Sequence, residues 1–137
     1  MKAGINDSQS MSSTKQIIKP AGSPSPVGPY NHAVRVGDLL FCSGQIPLDA
    51  QGNLVTGDIR VQTARVLENV KAVLADQKLT FSNVVKSTVF MTSLGDFAAM
   101  NEVYAQYFTN DFPARSTIQV AALPKGASVE IEVVAHY

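Results

Sequence analysis

Tryptophan is absent from this chain of 137 residues, cysteine and histidine are nearly so, and neither sign of charge predominates. The single cysteine, Cys42, excludes an internal disulfide and fits a reducing compartment. It lies in the apolar run LLFCSG, where a buried, inert thiol is the ordinary expectation. Two histidines, His32 and His136, are too few and too scattered for a metal cluster. Eleven Lys and Arg balance eleven Asp and Glu, so no global field draws the chain towards nucleic acid or an anionic membrane. No run approaches the roughly 18 apolar residues of a membrane span. The opening MKAGINDSQSMSSTK has neither the apolar segment of a signal peptide nor the arginines of a transit peptide. Residues 1–15 are therefore expected to be a disordered tail, residues 16–137 a single domain, and the location cytoplasmic. The phosphate-loop, dinucleotide-fingerprint, nucleophile-elbow and zinc-protease motifs are all missing.

What is present is a clear alternation of periods. Pro20, Pro24, Pro26 and Pro29 mark residues 19–29 as an extended lead-in. NHAVRVGDLLFCSGQI reads as two strands about a Gly37-Asp38 turn, and PLDAQGNLVTG as a loop. After Asp58, an N-cap residue type, the residues Ile59, Val66, Leu67, Val70, Val73 and Leu74 form one helical stripe of about five turns. NVVKSTVFMTS is β-branched and nearly continuously apolar, which predicts a strand covered on both faces. A second helix follows Asp96, with Phe97, Met100, Val103, Tyr104, Tyr107 and Phe108 on its stripe. Strands ARSTIQVAAL and SVEIEVVAH close the chain, and a short strand at Gln16–Lys19 completes six. This order predicts an α+β fold, a mixed sheet with two helices on one face.

Two helices cover only one side of such a sheet. On the other side the sequence places Glu130, Glu132, Val134 and His136, and in the preceding strand Arg115, Thr117 and Gln119, set against Ile118 and Val120 on the helix side. A half-apolar second face points to coverage by another subunit. Arg115 reads either as an edge-strand arginine reaching water or as a guanidinium fork holding a carboxylate at a subunit seam. Glu130 and Glu132 read either as a solvated strand face or, near Arg115, as a group that orients water.

The run FPARSTIQVAALPKGASVEIEVVA resembles the signature of the RidA/YjgF family of imine deaminases, also described as L-PSP endoribonucleases or translation-initiation inhibitors. GPY, FCSGQIPLD and VKAVLADQKLTFSNVVKSTVFMTSLGDFAAMNEVY resemble further family segments in family order, so the resemblance spans about Ile17 to His136. It implies a chorismate-mutase-like fold assembled as a homotrimer with clefts between subunits. It also implies cofactor-free hydrolysis of enamine/imine intermediates, such as 2-aminoacrylate and 2-iminopropanoate, to 2-keto acids and ammonia. Carried over by motif, Arg115 clamps the substrate carboxylate, Glu130 orients water and Tyr30 closes the pocket. Ser43 and Gly44 line the cleft, Asn101 lies near the seam as a further substrate-binding residue, and the Thr117 hydroxyl or a backbone N–H steadies the tetrahedral centre. Thr117 stands where bacterial members often carry cysteine, and Asn31-His32 where Ser-Gln is common. An endoribonuclease, a small-carboxylate sensor and a chaperone-like binder remain as alternatives to the deaminase.

Overall fold

In the computed structural model the described residues are 14–23 and 25–137, so the tail expected over residues 1–15 lies outside them but for its last two positions. Six strands form one sheet: β1 (Gln16–Ile18), β2 (Ala33–Val36), β3 (Leu39–Gln45), β4 (Val84–Met91), β5 (Ala114–Gln119) and β6 (Val129–His136). Their order is β1-β2-β3-β6-β4-β5, with β4 and β5 parallel and every other pair antiparallel. Two helices, α1 (Ile59–Asp76) and α2 (Phe97–Tyr107), pack together over one face of it. The mixed six-stranded α+β sandwich expected from the sequence is what forms.

The local causes are legible. Gly37, at φ +59°, takes the first central position of the β2–β3 turn, a conformation that costs glycine nothing. Asp58 accepts a hydrogen bond from the Val61 N–H at 3.0 Å and so starts α1. The helix then runs 18 residues and buries the expected stripe, together with Gln62 and Thr63. Gln62 is buried because both ends of its amide are used: Nε2 donates to the Gly57 carbonyl at 3.2 Å, and Oε1 accepts from the Ser128 N–H at 2.9 Å. At its far end α1 closes with Lys78 at φ 60° and the Leu79 N–H on the Leu74 carbonyl, a Schellman-type stop.

The core lies between the helices and the inward rows of β3, β4 and β6. Leu40, Val89, Met91, Val129 and Ile131 are fully buried there with Val66, Leu67 and Leu74 of α1. Each such side chain contributes about 1.5–3 kcal/mol by leaving water. The inward row of β6 is Val129, Ile131, Val133 and Ala135, and Glu130, Glu132, Val134 and His136 face the other way, as the alternation predicts. In β4 a register shift between Val84 and Lys86 leaves Val85 exposed, and the inward row is Val84, Ser87, Val89 and Met91.

One expectation is overturned. Arg115 and Thr117 do not share a face with Glu130. In the parallel β4–β5 ladder Arg115 lies opposite Ser87 and Thr117 opposite Val89, both buried beneath the helices. It is Ser116 and Ile118 that join the open face, Ile118 beside Phe90. The reason is cover. β5 is the edge strand, and what reaches over its inner face is the rim of α2 with its aromatic rings, which accept a cation where aliphatic packing would refuse one.

Candidate active site

On the open face Phe41 lies opposite Val134, and Phe90 lies between Glu130 and Ile118, so apolar and acidic residues alternate across neighbouring strands. Glu130 is half-buried there. Burial, first, and the nearby Glu132 charge, second, push its carboxyl above the ordinary value. The side chain has room only because residue 44 is glycine. A Cβ on Gly44 would stand 2.5 Å from Glu130 Oε2, 2.8 Å from Cδ and 2.9 Å from Cγ. This close approach falls where the β3–β6 register shifts between Cys42 and Gln45.

Glu130, Gly44 and Tyr30 line one cavity of about 570 Å³, together with His32, Gln45 and residues of the lead-in and α1. Ser43 braces this wall without lining it. Its hydroxyl donates to the Asn31 carbonyl and its N–H to the His32 carbonyl, fixing the segment that carries Tyr30. From the helix side, Asn69 of α1 donates to the carbonyls of Ile46 and Leu48 at 3.2 and 3.0 Å and holds the floor of the loop after β3.

Arg115 and Asn101 line a separate cavity of about 360 Å³, with Tyr104, Ala105, Phe108, Phe112 and Pro113. The guanidinium carbon lies 4.7 Å from the Tyr104 ring centroid and 5.6 Å from that of Phe97. Among the described residues Arg115 has no ion-pair partner; the ion pair there is Arg60–Glu102, out in solvent. Phe112, 70% exposed, forms an apolar lip beside it. Thr117 lines neither cavity, and its buried hydroxyl has no hydrogen-bond partner among the described residues.

The expected site residues therefore fall into two groups: Tyr30, Gly44 and Glu130 with Ser43 behind them, and Asn101 and Arg115 with Thr117 beneath. Since Glu130 pairs with Phe90 on the open face and Arg115 with Ser87 on the helix face, the sheet itself stands between the groups. The sequence reading missed Tyr104, Phe97 and Phe112 as neighbours of Arg115. Their signal was an aromatic-rich helix stripe just before an arginine that needs a partner.

Cys42 is buried, and burial pushes its thiol up to about 12. Alkylating reagents should therefore react over hours and leave activity intact, as timed mass spectrometry with parallel assays would show. Rapid, stoichiometric inactivation would put the thiol at the site. Among the described residues no helix is long and apolar enough to cross a membrane, and no cluster of acidic, histidine or cysteine side chains could hold a metal ion.

The family model described as Endoribonuclease L-PSP matches residues 20–137. Protein DfrA of Myxococcus xanthus is 55% identical over 124 residues, covering 88% of this chain and 95% of that protein. The 2-iminobutanoate/2-iminopropanoate deaminase of Capra hircus is 45% identical over 122 residues, covering 88% of this chain and 89% of the relative. Among solved structures, E. coli TdcF with bound serine superposes with a TM-score of 0.83 at 42% identity, covering 89% of this chain and 98% of that one. The chain belongs to the RidA/YjgF family, whose members carry both the endoribonuclease L-PSP and the imine deaminase names.

Proposed function

We propose that this protein is an imine deaminase of the 2-iminobutanoate/2-iminopropanoate type, acting as a homotrimer of chorismate-mutase-like subunits with each site between two of them. The observation that carries the reading is the division just described. A guanidinium without a carboxylate partner sits on one face of the sheet, and a carboxyl raised above its ordinary value sits on the other. Each is half of a site for a small substrate that has both a carboxylate and an electrophilic C=N carbon. A second copy laid against the open face would cover Phe41, Phe90, Val134 and Ile118, and in this reading its Arg115 reaches the first copy's Glu130. The serine bound to the related TdcF is itself a small amino acid carboxylate.

The reaction asks little of the protein. Arg115 of one subunit holds the substrate carboxylate bidentately and fixes the imine carbon over the neighbouring Glu130. Glu130 takes a proton from water as the water oxygen bonds to that carbon, and returns it to the imine nitrogen, giving a neutral carbinolamine. It then takes the carbinolamine hydroxyl proton and passes it to the nitrogen as the C–N bond breaks and the C=O forms, so that ammonia and the 2-keto acid leave. A carboxyl raised above its ordinary value is a stronger base than a free glutamate and still gives its proton back. A backbone N–H steadies the tetrahedral centre, since the expected Thr117 hydroxyl is buried and lines neither cavity. Tyr30, on the lead-in, closes the cavity above.

The direct test is ammonia release with serine or threonine dehydratase generating the imine in situ. A rate of 2-keto acid formation that rises in proportion to this protein is expected. No acceleration, with salt-dependent binding and cleavage of RNA instead, would favour the family's other name.

A further inference from the structure

Resting on the reading of Arg115 as the carboxylate clamp, we propose that Tyr104 is a positioning residue of the reaction. Its ring carries the guanidinium and leaves most of the five N–H donors for the substrate. Three contacts fix that ring. Its hydroxyl lies 2.7 Å from the Ser87 hydroxyl, both buried. Phe108 stacks on it at 4.3 Å between centroids and 18° between planes. The Arg115 guanidinium carbon stands 4.7 Å from its centroid. Ser87 is also the residue opposite Arg115 in the β4–β5 ladder, so one strand position sets both the arginine's backbone and the ring that supports its head group.

The choice of a ring has a chemical consequence. An Asp or Glu support would engage the N–H donors and compete with the substrate for them. A ring face holds the cation through its quadrupole and uses no donor. The neutral phenol matters for the same reason, since a phenolate beside Arg115 would be a competing anion. Burial pushes the Tyr104 hydroxyl up, against the opposing pull of its hydrogen bond with Ser87, of the Arg115 charge and of a hydrogen bond from Arg115. Phe97, 5.6 Å away and itself partly exposed, supplies a second, weaker face.

The test measures pyruvate affinity by calorimetry, and KM and kcat for the in situ imine, in the assembled protein. Tyr104→Leu should raise Kd and KM about tenfold while kcat moves less than about threefold. Tyr104→Phe, which keeps the ring, should restore Kd to within about threefold of the parent. Equal losses in both variants, or a folded Tyr104→Leu with the parental Kd, would overturn the proposal. If Tyr104→Leu fails to fold, Phe97→Leu at its exposed site decides: about threefold weaker binding supports the ring support, and unchanged binding overturns it. Arg115→Ala separates this inference from the clamp itself. Parental pyruvate binding in that variant sinks the clamp and the inference together. Lost binding there beside unchanged binding in Tyr104→Leu sinks the inference alone.

Discussion

Arg115→Lys is expected to lose about a hundredfold in kcat/KM while the subunits stay assembled. The charge survives the substitution, but the fork does not. A guanidinium offers a carboxylate two parallel N–H donors in one plane, whereas an ammonium is a point charge that meets one oxygen well. Losing one charge-assisted hydrogen bond costs about 1.5–3 kcal/mol, or roughly ten- to a hundredfold. Lysine also has no flat face to lay against Tyr104 and Phe97, so its head group is held less well where it is needed. Steady-state ammonia release, with sedimentation to confirm assembly, makes the comparison. Near-parental turnover would make Arg115 a structural residue of the edge strand.

The second large effect belongs to Glu130. Glu130→Gln keeps size and shape and removes the ionisable oxygen, so kcat should fall at least about tenfold, the low end for loss of an acid-base group. The sign of the pH dependence follows from the raised carboxyl. Acting as a base, Glu130 must be ionised, so the parent's rate falls as pH drops through its pKa, at higher pH than an ordinary glutamate would give. That limb should vanish in Glu130→Gln. In Glu132→Gln it should move to lower pH with turnover otherwise kept, because the neighbouring charge that helps raise Glu130 is gone. Adjacent positions along one strand face are about 7 Å apart, too far for both glutamates to serve one small substrate. Gly44→Ala should mimic the loss at Glu130, since the new Cβ would collide with Cγ, Cδ and Oε2 and the whole side chain must move. Activity that survives Glu130→Gln and falls with Glu132→Gln would mean that the site is assigned one pleat out.

Much of this was legible in the residues, and the limits are instructive. The α1 stripe and its Asp58 cap follow from a period of 3.6 and one side-chain oxygen, both local properties. The β6 alternation likewise names its buried row, because that strand is central and its inward side chains are all aliphatic or alanine. In β5 the same alternation separates Arg115 and Thr117 from Ile118 but does not say which row meets the helices. Hydrophobicity favoured Ile118. Register against β4 decided otherwise, and register is tertiary. The extra residue at Val85 likewise has no signature in a nearly continuous apolar run. Tyr104 was visible only as a member of a helix stripe, since an aromatic at such a position reads as core until an arginine is seen above it. Family resemblance supplied the names of the site residues. The opposite faces on which Arg115 and Glu130 lie are what the proposal of a site shared by two subunits rests on.

Subunit mixing tests that requirement most directly. Arg115→Ala and Glu130→Gln chains, each strongly impaired alone, are unfolded together, reassembled and assayed. In a cyclic trimer every mixed assembly regains one complete cleft of three, so random mixing should restore about a quarter of the parent's activity. Mass spectrometry confirms that mixed trimers form. Should they form and remain as impaired as either variant alone, Arg115 and Glu130 do not meet across a subunit boundary, and the account fails at its centre.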